Sequence, residues 1–255
     1  MAISRVNILG VGVSAVSMPT VLQTIESWVD RRESRYICVS PVHSIMESQR
    51  DASLRHIHNV ADLVTPDGMP LVWLSRLMGF REVEQVCGSD LMLSVCGHFT
   101  QRGYRHFFYG ATLAVLKQLQ DRLLIRFPDL QVAGSYAPPF RPLTAAEDQA
   151  VVDHINSSKP DIVWVGLGAP KQERWMADHV GRLDASVLIG VGAAFDFHAG
   201  TKKRAPRWMR QCGLEWLFRL MMEPWRLWQR YLINNAWFLW LLLRQVMSRE
   251  STPVR

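Results

Sequence analysis

Cysteine is scarce in this 255-residue chain, and Cys38, Cys87, Cys96 and Cys212 form no C-x-x-C pair. Four scattered thiols exclude a disulfide-framed fold and point to buried cysteines in a reducing compartment. Metal signatures are missing too: the eight histidines make no H-x-x-x-H or H-E-x-x-H pair, and no D-x-D occurs. There is no G-x-x-x-x-G-K-[ST] phosphate loop. The start, Met1 to Arg5, has no basic region followed by an apolar core, so no signal peptide is read. In the aromatic C-terminal region the longest uncharged stretch, Tyr231 to Leu243, has thirteen residues. A spanning helix needs about twenty, so none is expected there. With 48% hydrophobic and 20% charged residues the chain is globular, not disordered, and no fixed-period repeat occurs.

Net positive charge is absent from most of the chain. Residues 1–199 hold 18 Lys or Arg against 20 Asp or Glu, whereas residues 200–255 hold 11 against 3. The formal excess of +6 therefore lies wholly in the C-terminal segment. Six of the ten tryptophans are there as well: Trp208, Trp216, Trp225, Trp228, Trp237 and Trp240. Such an asymmetry carries functional information that overall charge does not.

The first 200 residues alternate short β-rich runs with amphipathic stretches. Strands are read at Val6–Gly10, Tyr36–Ser40, Ala61–Thr65, His106–Tyr109, Leu130–Ser135, Asp161–Gly166 and Ser186–Val191. Helices are read at Pro19–Val29, Val42–Arg50, Met69–Met78, Thr112–Arg126 and Pro170–Val180, with another to Asn156 opened by the capping-box sequence at Thr144. Near-continuous apolar strands between helices predict an α/β fold, a parallel sheet covered on both faces. After Gly200 the strands stop, and residues 204–249 read as helices interrupted at Pro224. The expected division is an α/β domain over 1–200 and a basic, Trp-rich helical appendage over 201–255.

Ligands of open parallel sheets bind beyond the carboxyl ends of the strands, so the residues there are the candidates. Gly10-x-Gly12-x-x-Ala15 matches a dinucleotide fingerprint, but Ser40 stands where an acidic residue should close the second strand. An NAD(P)-dependent oxidoreductase is the alternative it supports, against an ordinary glycine turn. Asp67, in Pro66-Asp67-Gly68, can take a proton from a hydroxyl nucleophile or cap the next helix, and spacing alone leaves these even. Gly168 to Glu173 joins a strand to a helix, where backbone N–H groups and the helix dipole favour a phosphate. Lys171 would add charge there and Gln172 could bond a base or sugar, unless the segment is a plain turn. Asp196 could accept a sugar hydroxyl or sit in a solvated turn. His43, at another strand end, is a further candidate.

The C-terminal arginines interleave with tryptophans, which suits a membrane interface. Packing on the domain or on an identical subunit is the second reading, and nucleic-acid binding the third, without a recognised reader motif. Ala236 to Leu243 is eight consecutive apolar residues, more than one face of a surface helix can hide. This ranks membrane contact first.

The chain resembles the WecG/TagA/CpsF glycosyltransferase family over about residues 36–240. The resemblance rests on Thr65-Pro66-Asp67-Gly68-Met69-Pro70, Gly88-Ser89-Asp90-Leu91-Met92, Gly166 to Glu173, and Gly192-Ala193-Ala194-Phe195-Asp196-Phe197. Arg204-Ala205-Pro206, Gly213 to Leu220 and Glu223-Pro224-Trp225-Arg226-Leu227 complete it. It implies an inverting transferase on a Rossmann-like core that uses neither metal nor cofactor, with an appendage that meets the membrane and helps close the site. The family's general base falls on Asp67, its nucleotide-side glutamine on Gln172 and its glycine-rich-strand aspartate on Asp196. The substrate-binding set implied is Ser40, His43, Thr65, Gly68, Asp90, Gly168, Lys171, Gln172, Asp196, Arg204, Arg207, Arg219 and Arg226.

Two departures stand out. Many members carry Thr-x-Asn where this chain has Ser40-Pro41-Val42-His43, a Val-His variant similar to members that transfer glucose in exopolysaccharide assembly. Many also have arginine near the position of Gln85. Both shift the expected donor away from N-acetylmannosamine and toward a neutral hexose. The resemblance thus implies transfer of a hexose or N-acetylhexosamine from a UDP-sugar to a polyprenyl-diphosphate-linked saccharide. The enzyme would be cytoplasmic and peripheral on the inner membrane face, without a nucleic-acid partner, its oligomeric state left open.

Overall fold

The computed structural model describes residues 3–247; the side chains of residues 226, 229, 230 and 246 lie outside the description. A six-stranded sheet has the order β4-β3-β8-β7-β5-β6. Its strands are β3 (Arg35–Ser40), β4 (Leu63–Pro66), β5 (Arg105–Gly110), β6 (Gln131–Tyr136), β7 (Ile162–Gly166) and β8 (Val187–Gly190). The β3–β8, β8–β7, β7–β5 and β5–β6 pairings are all parallel, and helices flank the sheet, as the apolar strand pattern predicts. By its contacts the chain forms two compact units. One comprises the described residues up to Met18, Val39–Cys87 and the chain from Arg204; the other comprises Pro19–Cys38 and Gly88–Lys203.

The second unit holds most of the sheet with α1 (Met18–Asp30, all but its first residue), α5 (Gly88–His98), α6 (Leu113–Arg126), α7 (Ala145–Ser157), α8 (Lys171–His179) and α9 (Ala194–Ala199). The expected capping box opens α7: Thr144 accepts from the Glu147 N–H while the Glu147 carboxylate accepts from that of Thr144. Two helices of this unit escaped the sequence reading. α5 starts on glycine, although Leu91, Met92, Val95 and Cys96 make a buried stripe at helical spacing, and α9 is six residues long.

This unit's core includes a titratable group. His106 on β5 is fully buried, and its Nδ1 accepts a 3.0 Å hydrogen bond from Trp164 Nε1. Burial pushes its pKa down to about 4 because the charged ring cannot be solvated there. The folded state therefore binds this proton more weakly than the unfolded chain. The stability it contributes is full above the ordinary imidazole pKa and is lost as pH falls from there toward 4. Urea unfolding should show about 2–3 kcal/mol of acid destabilisation from this site by roughly pH 4.5. His106→Gln, which keeps an acceptor for Trp164, should lack that component; an unchanged acid slope would contradict it.

The first unit opens with a hairpin, not with the first parallel strand the alternation predicts. β1 (Arg5–Ile8) pairs antiparallel with β2 (Val11–Ser14), Ile8 opposite Val11. The two-residue turn has φ of 52° at Leu9 and 79° at Gly10, the left-handed pair that tight hairpins require. Gly12 lies inside β2, and no helix opens on these glycines. The dinucleotide fingerprint is a hairpin turn, and the oxidoreductase alternative loses the strand–turn–helix context it needs.

Also in this unit, α2 (Val42–Arg50) and α3 (Ala52–Val60) are joined by one residue, Asp51, whose carboxylate accepts from the Leu54 N–H. No glycine or proline marks this break, so α3 was not visible in the sequence. α4 (Met69–Leu77) follows β4 directly. The C-terminal segment forms α10 (Arg207–Gln211), α11 (Glu215–Met222), α12 (Pro224–Trp228), a π-helical turn (Gln229–Ile233) and α13 (Asn234–Met247). Pro224 opens α12, where its missing N–H costs no hydrogen bond. Residues 248 and 249 of the expected helix lie outside the described residues. α13 is fastened to the hairpin: Gln245 Oε1 accepts from the Leu9 N–H at 3.0 Å, and its Nε2 donates to the Asn7 carbonyl at 2.9 Å. Among the described residues no helix is long and apolar enough to cross a membrane.

Candidate active site

A cavity of about 490 Å³ lies within the first unit, a size usual for small-molecule sites. Its polar lining side chains are His43, Asp67, Gln85, Arg210, Glu215, Arg219 and Asn235. Larger apolar or aromatic ones are Met69, Trp73, Leu74 and Leu77 from α4, Trp216 from α11, Tyr231 from the π turn, and Phe238, Leu239 and Leu242 from α13. Leu77 and Leu239 line the cavity and are also 84% and 62% exposed, so part of the apolar lining reaches the surface. Gly213, at φ +71°, lets the α10–α11 turn approach α4: a side chain there would come within 2.9 Å of Trp73 and 3.3 Å of Met69.

Asp67 is held in this wall by its backbone. Its N–H donates to the Ser40 carbonyl at 3.1 Å, and the Pro66 carbonyl accepts from Val86 N–H at 3.1 Å. Thr65 Oγ1 adds a 3.1 Å bond to the Val86 carbonyl. The strand end is thus pinned on both sides, and Asp67, half-buried, faces the cavity. The capping position of α4 belongs to Gly68, one residue further on. A half-buried carboxylate in a pocket whose lining also includes Arg210 and Arg219 can accept a proton from a hydroxyl brought to it.

Of the candidate residues, His43, Asp67, Gly68 and Arg219 line this cavity together. Ser40 and Thr65 do not: both are fully buried and act on the strand ends just described. The arginines separate. Arg204 donates to Cys87 Sγ at 2.9 Å, Arg207 is exposed on α10, and the Arg226 side chain lies outside the described residues. In the second unit, Asp90 stands in the first turn of α5, and Gly168 precedes α8, which Lys171 opens with an exposed side chain. Gln172 is 3% exposed; its Oε1 accepts from the Gly192 N–H at 2.9 Å and its Nε2 donates to Glu173 at 3.0 Å. That amide braces the turn leading to Asp196, which lies in the first turn of α9 and accepts from Thr201 Oγ1 at 3.1 Å.

The sequence reading missed Arg210, Glu215 and the apolar wall. A signal for them exists. Trp73, Leu74 and Leu77 share one face of α4, and Trp216 and Arg219 stand three residues apart on α11, the spacing that puts two side chains on one helix face. Among the described residues no group of three or more His, Cys, Asp or Glu could hold a metal ion.

Comparison with known proteins gives a match over residues 6–252 to the family described as Glycosyl transferase WecG/TagA/CpsF family. A Bacillus subtilis (strain 168) protein named N-acetylglucosaminyldiphosphoundecaprenol N-acetyl-beta-D-mannosaminyltransferase is 30% identical over 246 residues, 93% of each chain. Proteins of the same name from Bacillus spizizenii and Staphylococcus aureus (strain MW2) are 31% and 27% identical, covering 81% and 86% of this chain and 78% and 85% of their own.

Proposed function

The chain belongs to the WecG/TagA/CpsF glycosyl transferase family, and from that premise we propose that it transfers a hexose or N-acetylhexosamine from a UDP-sugar to a polyprenyl-diphosphate-linked saccharide at a membrane surface. The observation that carries this reading is the cavity itself. Its lining offers two carboxylates and two arginines together with many apolar side chains, some of them also exposed at the surface. A lipid-linked saccharide carries both kinds of group: hydroxyls and a diphosphate, and hydrocarbon. The relatives' printed names point the same way, each naming a diphosphoundecaprenol-linked sugar.

In the proposed reaction Asp67 takes the proton of an acceptor hydroxyl as its oxygen attacks the anomeric carbon from the face opposite UDP. The bond from that carbon to the phosphate oxygen breaks, UDP departs with the electron pair, and the configuration inverts. Arg219 and Arg210 meet diphosphate charge, and fixed donors of this kind lower the barrier where charge develops. Gly168 and Lys171 are the proposed nucleotide-side contacts, with Asp196 for a sugar hydroxyl and Gln172 bracing the turn before it. The helices from Arg204 onward are the proposed lipid-facing segment. A role in exopolysaccharide or other surface-polysaccharide assembly follows from the acceptor class.

A panel of UDP-sugars with a synthetic polyprenyl-diphosphate saccharide, read by released UDP, tests this. UDP should appear with a hexose or N-acetylhexosamine donor and only when the acceptor is present. No release with any donor of the panel would refute the reading.

A further inference from the structure

Glu215 and Arg219 stand four residues apart on α11, and both line the Asp67 cavity. A glutamate four residues before an arginine is the arrangement in which helix ion pairs ordinarily form, with Cβ atoms about 5–6 Å apart. Here no such pair forms. Among the described residues neither side chain has a hydrogen bond or an ion pair, and both residues are half-buried. A carboxylate and a guanidinium are thus held one helical turn apart at the cavity, each with its bonding capacity unused.

A guanidinium only donates hydrogen bonds and a carboxylate only accepts them. A ligand that satisfies both must therefore carry an anion and a hydrogen-bond donor close together. A sugar 1-diphosphate has this pairing, because the substituent on C2 is vicinal to the phosphate oxygen on C1. Two further features of the lining suit a sugar. Gln85 and Asn235, also without a partner among the described residues, add amides that can meet other hydroxyls. Trp216 and Tyr231, with ring centroids 6.1 Å apart, supply an aromatic surface of the kind that lines small-molecule sites.

We propose that Glu215 is a specificity-determining residue: with Arg219 on a phosphate, its carboxylate accepts from a hydroxyl or acetamido N–H of the sugar that carries this phosphate. The proposal rests on the reading of this cavity as the transfer site, and on Arg219 as a phosphate contact there. Both substrates of that reaction, the UDP-sugar and the lipid-linked saccharide, are sugar 1-diphosphates, so the test has an arm for each. A carboxylate in the first turn of a helix is also favoured by the helix dipole alone, and the test separates that role from ligand recognition.

Titration calorimetry of the full chain compares sugar-bearing probes with their sugarless counterparts. The donor arm sets UDP-glucose and UDP-N-acetylglucosamine against UDP. The acceptor arm sets farnesyl-diphospho-N-acetylglucosamine against farnesyl diphosphate. In at least one arm Glu215→Gln should weaken the sugar-bearing probe at least about tenfold and the sugarless one less than about twofold. The responding arm names the source of the sugar. Glu215→Asp keeps the charge at the helix start but shortens its reach by one methylene, and should weaken the same probe with melting nearly unchanged. Full affinity in Glu215→Asp would mean that the carboxylate serves only the helix, and would overturn the proposal. A loss shared equally by sugar-bearing and sugarless probes, or no loss in either arm, would overturn it too. Absence of transfer by the wild-type enzyme, with this binding pattern intact, would count against the transfer reading and not against the sugar contact of Glu215.

Discussion

Asp67→Asn should leave folding and UDP-sugar binding intact while transfer to the lipid-linked acceptor falls by about 10²–10⁴-fold. The loss corresponds to roughly 3–5 kcal/mol in the barrier. Asparagine keeps the shape and one acceptor oxygen but cannot take a proton. The backbone bonds that hold this strand end, from Asp67 N–H to Ser40 and from Val86 N–H to Pro66, do not involve the side chain. Thermal unfolding should therefore be nearly unchanged, and the effect should sit in kcat rather than in KM for the donor. Near-normal kcat in a folded variant would remove Asp67 from the chemistry.

The second large effect concerns the surface. Trp225 is 92% exposed, Met221 60% and Leu243 64%, and none of them lines the cavity. Most of the large apolar side chains exposed among the described residues fall within residues 208–247, and such a concentration suits a surface that something else covers. The excess of basic residues in the same segment suits an anionic lipid surface. Replacing all three by glutamate should weaken binding to vesicles of phosphatidylglycerol and phosphatidylethanolamine by about 10³-fold or more. The estimate takes at least roughly 1.5 kcal/mol for each large apolar group withheld from the bilayer. Because these side chains face out, the circular dichroism spectrum and melting should stay as in the wild type. Unchanged co-sedimentation with vesicles would show that the patch serves another purpose.

Much of the α/β layer was legible in the chain because each element carries its own local signal. β7 and β8 are uninterrupted apolar runs, α7 opens on a full capping box, and α4 follows Pro66-Asp67-Gly68 directly. The exceptions have physical causes. The Val6–Gly10 run has the composition of a buried parallel strand, and only the antiparallel partner across Leu9-Gly10 reveals a hairpin. α3 was invisible because Asp51 ends one helix and caps the next without a breaker residue.

The candidate site was legible where a motif has to place a functional group at a strand end, as at Asp67. It was illegible where the wall comes from distant segments. Trp73 on α4 and Phe238 on α13 line one cavity from positions 165 residues apart, and no local pattern encodes that meeting. Gln172 shows another limit: its motif position suggests substrate contact, but its burial and its bond to Gly192, which brace the turn before Asp196, are not encoded locally.

The central claim is that the lipid-linked acceptor lies in the cavity of the first unit, its hydrocarbon against α4 and α13. Photolabelling tests it most directly, using a polyprenyl-diphosphate saccharide with a diazirine on the isoprene nearest the diphosphate, followed by peptide mass spectrometry. The account predicts labels on the α4 segment around Trp73–Leu77 and the α13 segment around Phe238–Leu242, both suppressed by excess unlabelled acceptor. Competable labelling confined to peptides of the second unit, with these two segments bare, would contradict it.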